Sequence, residues 1–178
     1  MKATGISQVA LMTLLVTAGV GCMVGEAPRD KRAVANMESR SGSTVTGDAT
    51  FTGANGAVTL KLNVIGATPG THAVHLHQVP DCSSPDANSA MGHWNPDMMN
   101  HGLPNAAAHH LGDCGNFEVG ADGKGTLTIT NAWSIGTGAV DDVIGHALIF
   151  HASPDDGMTQ MPPGNAGARL ACGVVTLL

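Results

Sequence analysis

The stretch Val58-Thr59-Leu60-Lys61-Leu62-Asn63-Val64-Ile65 alternates apolar and polar residues. Side chains two apart on an extended chain share a face, so Val58, Leu60, Leu62 and Val64 point one way and Thr59, Lys61 and Asn63 the other. The pattern predicts a half-buried strand. Upstream, Ala54-Asn55-Gly56 is a turn signal, and residues 44–52 alternate small polar and apolar residues. Downstream, Pro69-Gly70 turns the chain into a strand over 71–78. Residues 80–115 carry no sustained periodicity and many Pro, Asn, Asp, Gly and His. A loop of that length inside a compact domain is functional or disordered. Strand patterns return at 116–119, at 126–130 after Asp122-Gly123, at 143–150 and at 169–178, with a second loop over 152–167. No segment carries a capped helical period. Short strands with turn signals and no helices predict an all-β, antiparallel sandwich or barrel with two long functional loops.

The length of 178 residues suits one domain. Charged residues make up 12% of the chain, about half the usual share, which excludes a coiled coil or a charged disordered tail. A hydrophobic fraction of 43% supports a packed core, although aromatics are 3% and Tyr is absent. The net charge of −6 argues against nucleic acid as a partner. Residues 44–178 set three basic side chains, Lys61, Lys124 and Arg169, against eleven acids, a net of −8. Histidine is over-represented, with nine His against eight Lys plus Arg. In an acidic chain of low charge, that excess points toward metal.

The N-terminus reads as an export signal over residues 1–21. Lys2 precedes a mostly apolar run over 9–20, too short to span a membrane. Ala18, Gly19, Val20 and Gly21 then lead into Cys22, which resembles a bacterial lipobox except that Gly19 stands where a Leu-like residue is typical. Cys22 is the expected lipidation site, with ordinary signal cleavage nearby as the alternative. The expected location is outside the cytoplasm, as a periplasmic or cell-envelope lipoprotein, where disulfides persist. Residues 22–43 hold Arg29, Lys31, Arg32 and Arg40 and read as a flexible tether to the membrane, although Val34–Glu38 could begin a strand. The folded domain is placed at 44–178.

His75-Leu76-His77 lies on a predicted strand, where residues i and i+2 share a face and both imidazoles can reach one ion. The long loop then supplies His93, His101, His109, His110 and Asp113, and His151 ends an apolar run. A lone His is ordinarily a surface or hydrogen-bonded residue. His-x-His on a strand with His-x-x-Asp in a His-rich loop is a metal signature. An all-imidazole set suits copper, and three His with one carboxylate suit zinc.

These segments resemble the copper/zinc superoxide dismutase family. The motifs are His75-Leu76-His77, Gly92-His93-Trp94-Asn95-Pro96, His101-Gly102, His110-Leu111-Gly112-Asp113, the run from Gly145 to His151, and the run from Gly164 through Arg169 to Cys172-Gly173. They occur in the family's order at compatible spacings. The resemblance implies an eight-stranded Greek-key β-sandwich or barrel. It implies copper ligands His75, His77, His93 and His151 and zinc ligands His93, His101, His110 and Asp113, with His93 shared. The implied activity is conversion of superoxide to dioxygen and hydrogen peroxide by alternate reduction and oxidation of the His-ligated copper, beside a structural zinc. His93 is then the proton carrier and Arg169 the cation that attracts the anionic substrate.

The resemblance also implies a disulfide between Cys82 and Cys172. It aligns Asp155 with a carboxylate linking a copper His, either His77 or His75, to the zinc ligand His101, with Asp156 as the register alternative and an ordinary loop turn as the competing reading. Cys114 is left as a small buried thiol or a soft ligand. His72, His109 and His146 fall outside the ligand sets and are expected to be exposed or hydrogen-bonded. Methionines 91, 98, 99, 158 and 161 all fall in the two loops. They read as exposed or gap-filling, with soft copper delivery as the sharper alternative. Gln78 and Trp94 depart from the family's usual Glu and Phe. The competing function is a dismutase-like copper- and zinc-binding lipoprotein that buffers or delivers metal without turnover. A display sandwich does not account for two metal sets. A homodimer and a monomer are both compatible with the sequence.

Overall fold

The computed structural model describes residue 1 and residues 31–178. The expected signal beyond Met1, the lipidation site Cys22 and the first part of the expected tether lie outside the described residues. Nine strands run through the rest: β1 (Arg32–Ser39), β2 (Thr46–Ala54), β3 (Ala57–Ile65), β4 (Gly70–His77), β5 (Asp113–Val119), β6 (Gly125–Asn131), β7 (Ala147–His151), β8 (Arg169–Val174) and β9 (Thr176–Leu177). The strands neighbour one another in the order β2-β3-β6-β5-β4-β7-β8-β1, and β1 pairs back onto β2. The sheet is therefore closed and has no free edge. Every pairing between these strands is antiparallel. β9 continues β8: Glu38↔Cys172 and Ala33↔Leu177 keep one register along β1, interrupted at Val175. Counting the two as one strand gives the expected eight-stranded barrel. Its β3–β4 and β6–β7 connections join strands that are not neighbours, as a Greek key requires.

The alternation that predicted β3 is what fills the barrel. Val58, Leu60, Leu62 and Val64 are buried and pack with Phe51, Val74, Leu76, Leu148 and Phe150. Each such side chain contributes roughly 1.5–3 kcal/mol by leaving water. β1 uses the same device with small residues. Ala33, Ala35 and Met37 face inward at 0–2% exposure while Arg32, Asn36 and Glu38 face out. The folded unit thus includes residues 32–43 of the stretch read as a tether, and β1 covers Val34–Glu38, the alternative strand start. Inward alanines are weak hydrophobic signals, and the charged outer residues masked their period.

The apolar run at 143–150 also divides differently. β7 spans only Ala147–His151, while Val143 plugs the core from a loop organised by Asp142. That carboxylate accepts hydrogen bonds from the amides of Gly136, Thr137, Gly138 and Ile144. Two long connections, residues 78–112 and 152–168, cover the outer face of β4 and β7. Ala87 and Ala90 of the first pack on Ala147, Ile149 and Cys172 in a second, smaller core.

Candidate metal centre

Val74 and Leu76 point into the barrel, so His75 and His77 must point out, beneath the two loops. Register shifts between Val74 and His75, and between Phe150 and His151, re-aim both strands just where they carry histidine. Asp113 opens β5 opposite His75. The ends of the 78–112 loop are clamped to β4. Leu76 N donates to Gly112 O at 2.8 Å, Trp94 N to Leu76 O at 2.9 Å, and Gly112 N to Trp94 O at 2.9 Å. A Cβ at Gly112 would lie 2.3 Å from Leu76 O, so only glycine permits this approach.

The chain thereby assembles two groups whose candidate ligand atoms all lie within 4.8 Å of one another: His75, His77, His93 and His151, and His93, His101, His110 and Asp113. His93 belongs to both, and every member is buried. Both sequence-derived sets are brought together without omission.

Hydrogen bonds decide which nitrogen of each ring is free. Asp155 accepts from His75 Nε2 at 2.7 Å and from His101 Nε2 at 2.8 Å, which leaves both Nδ1 atoms unprotonated. His77 Nδ1 donates to Met91 O at 2.8 Å, and His151 Nδ1 lies 3.4 Å from Gly167 O, which frees their Nε2 atoms. Among the described residues, the buried side-chain nitrogens with no hydrogen-bond partner are His75 Nδ1, His77 Nε2, His101 Nδ1, His110 Nδ1 and His151 Nε2. All five belong to the two sets. A buried polar atom without a partner costs stability. His101 Nδ1 stands 3.0 Å from Asp113 Oδ2, and His110 Nδ1 3.5 Å from Asp113 Oδ1. With Nε2 turned to Asp155, His101 presents Nδ1 to the Asp113 carboxylate, an arrangement that a bound cation satisfies. The donor sets fit copper and zinc respectively.

Charge states agree. Burial, reinforced by the neighbouring imidazoles, pushes His75 and His77 well below the usual histidine range, and burial takes His151 down to about 3. Burial alone would raise Asp113, but hydrogen bonds from His93 and from the His110 amide outweigh it and hold the carboxyl below its ordinary value. At neutral pH these groups are neutral imidazoles facing a carboxylate, the forms that ligate metal.

A model of the copper/zinc superoxide dismutase family matches residues 45–175, which run from β2 to β8 with both long loops. This chain belongs to that family. A copper/zinc superoxide dismutase of Caulobacter vibrioides is 42% identical over 135 residues, covering 72% of this chain and 77% of the relative. An extracellular copper/zinc superoxide dismutase of Onchocerca volvulus is 40% identical over 155 residues, covering 82% and 75%. Among solved structures, the crystal structure of the clock protein EA4 superposes with a TM-score of 0.75 at 30% identity, covering 88% of this chain and all of the other. The protein is an oxidoreductase, a superoxide dismutase that uses copper and zinc.

A channel of about 270 Å³ opens onto the dismutase centre, and its lining includes His77, His93, His151, Pro162, Asn165 and Arg169. Arg169 Nη1 donates to Ala87 O at 2.8 Å, so the cation is held by the first loop. That loop is tied to β8 by the Cys82–Cys172 disulfide, with a Cα–Cα distance of 5.7 Å across a separation of 90 residues. The carboxylate between the two sets belongs to Asp155, and its copper-set partner is His75. Asp156 is instead an exposed turn residue that accepts from Met158 N and Thr159 N.

Cys114 is buried in the barrel core, and burial beside the Asp113 charge pushes its thiol far above the usual range. It is packing, not a reactive group. His72 is buried, stacks on Phe150 and bonds His151 O through Nδ1 at 2.9 Å. His146 stacks on Trp94, and exposed His109 bonds Ala106 O.

Two positioning residues were not apparent in the sequence. Asn116 clamps Asp155 from both sides, accepting from its amide at 2.7 Å and donating to its carbonyl at 2.8 Å. Gln160 brackets the backbone of His101, accepting from its amide at 2.8 Å and donating to its carbonyl at 3.2 Å. Neither belongs to a ligand-like pattern, and each acts across a gap of tens of residues.

Proposed function

We propose that this chain is an exported superoxide dismutase in which His75, His77, His93 and His151 hold copper while His93, His101, His110 and Asp113 hold zinc. The observation that carries the assignment is the set of five buried, unpartnered ring nitrogens, all of which fall in these two groups. Copper supplies a one-electron couple that zinc lacks. The residues of the chain do the rest. Arg169, at the channel wall, draws and positions the superoxide anion with a fixed guanidinium in an otherwise acidic body. His93 Nδ1 lies 2.8 Å from Asp113 Oδ1, so Nε2 is the nitrogen that would serve the copper set and would take up and give back a proton. Asp155 fixes the rings of His75 and His101 so that neither turns its protonated nitrogen toward the metals. A Cβ at Gly164 would lie 2.5 Å from Asp155 Oδ1, and its positive φ likewise favours glycine there, so the second loop closes tightly over this carboxylate.

Export is supported by the Cys82–Cys172 bridge, since such bonds persist outside reducing compartments. Periplasmic anchoring through Cys22 rests on the small residues before it. The mass of the mature N-terminal peptide tests it: a diacylglyceryl adduct on Cys22 is expected, and a free N-terminus at another residue refutes it. For the enzyme, copper- and zinc-loaded protein is expected to dismutate superoxide. His151→Gln should lose copper and activity while keeping zinc. Full metal loading without turnover would refute catalysis in favour of a metal buffer.

A further inference from the structure

The sequence contains nine methionines, and those among the described residues are unevenly placed. Met37 is buried in the barrel. Met91, Met98, Met99, Met158 and Met161 all sit on the two loops that cover the metal residues, and all are exposed, from 44% for Met99 to 89% for Met98. On these loops the one other exposed large apolar side chain among the described residues is Leu103. Ile65, Val140, Leu177 and Leu178 are exposed elsewhere. Exposed apolar surface over the metal centre is thus almost wholly thioether. These side chains fill no gap in the core. A thioether differs from a leucine of similar size in carrying a soft, polarizable sulfur, a donor that selects copper(I) over harder ions.

Two of the five are next in sequence to residues that line the channel. Met91 precedes Gly92 and Met161 precedes Pro162, and both neighbours line the channel, one from each loop. Met91 O accepts from His77 Nδ1 at 2.8 Å, which ties this methionine's backbone directly to a ring of the copper set. His77 and His151 also line the channel, and their Nε2 atoms have no protein partner.

We propose that Met91 and Met161 form a capture site for copper(I) at the mouth of the channel, from which the ion passes to His77 and His151 by ligand exchange. In this step copper–sulfur bonds are replaced by copper–nitrogen bonds. No electron is transferred, because the ion arrives reduced. No proton is released, because both receiving Nε2 atoms are unprotonated. The proposal rests on the copper assignment of His75, His77, His93 and His151.

The test uses zinc-loaded, copper-free protein and follows uptake of copper from a coloured copper(I) chelate by loss of its absorbance, with final copper measured by elemental analysis. Leucine matches methionine in size, and the sites are exposed, so Met91→Leu/Met161→Leu should fold normally. That variant is expected to take up copper(I) about tenfold more slowly while reaching the same final copper and taking up copper(II) at the wild-type rate. Met98→Leu/Met158→Leu, which removes two thioethers whose neighbours do not line the channel, should keep the wild-type copper(I) rate. A wild-type rate in the first variant overturns the proposal, as does equal slowing of copper(II) or equal slowing in the second variant. If wild-type protein fails to take up one copper per chain, the copper assignment itself fails and the capture site with it.

Discussion

Replacing Asp155 by Asn changes one oxygen into an NH2 group and leaves the shape unchanged. The carboxylate now accepts three hydrogen bonds: from His75 Nε2 at 2.7 Å, His101 Nε2 at 2.8 Å and Gly157 N at 2.7 Å. An asparagine offers one acceptor oxygen. Gly157 N and His101 Nε2 share Oδ1, whereas His75 Nε2 uses Oδ2. Whichever way the amide is turned, one of the two rings must face an N–H with its own N–H. That ring either rotates or changes tautomer, and a changed tautomer puts a proton on the nitrogen meant for metal. A hydrogen bond to a charged group contributes about 1.5–3 kcal/mol. Loss of one such bond therefore predicts metal affinity weaker by roughly 10- to 100-fold, the size seen when outer carboxylates are removed. Turning the oxygen toward Oδ1's place keeps two bonds, so the weakened ring is expected to be His75; the other orientation weakens His101. Competitive chelator titration of copper and of zinc, run separately on Asp155→Asn and wild type, reads both. Wild-type affinities for both metals would refute the argument that this carboxylate fixes the rings, and equal losses in Asp156→Asn would refute its assignment to position 155.

The disulfide closes a span of 90 residues, for which the loop-entropy model gives about 4–5 kcal/mol. Cys82→Ser/Cys172→Ser should lower the unfolding free energy of metal-free protein by an amount of that order, read by denaturant titration, and an unchanged midpoint would refute it. Metal-free protein should also lose stability as pH falls below about 6.5. The unfolded state binds protons there while His151, held down at about 3, and the similarly lowered His75 and His77 do not. For His151 alone the loss is on the order of 5 kcal/mol once pH falls to its folded value. Stability of the metal-free protein that stays flat between pH 6.5 and pH 4 would contradict the burial of these rings. Arg169→Gln should leave both metal affinities intact, lower the second-order rate with superoxide by about tenfold and flatten its dependence on ionic strength. An unaltered salt dependence would show that Arg169 does not steer the anion.

The metal signature was legible because its chemistry is written locally, and the family resemblance divided it into two sets. His75 and His77 announce one face of a strand, and His110 with Asp113 announces a turn that can close on an ion. β3 was legible because its inward residues are large and its outward ones polar. β1 was obscured, since Ala33 and Ala35 carry little hydrophobic signal among charged neighbours. The extent of β7 was overread because Val143 and Ile144 continue the apolar run, although Asp142 pins them into a loop.

Residue types and order by themselves determined that the chain is β, that two long loops interrupt it, and that its histidines form a metal signature; the family resemblance named the seven candidate ligands. Only the tertiary structure decided which ring nitrogens are left without a protein partner, that Asp155 and not Asp156 stands between the sets with His75 as its partner, and that Asn116 and Gln160 hold those parts in place. The reason is physical. A ligand's identity is a property of one residue, whereas its tautomer and orientation depend on the hydrogen-bond partner that a distant part of the chain brings to its other nitrogen.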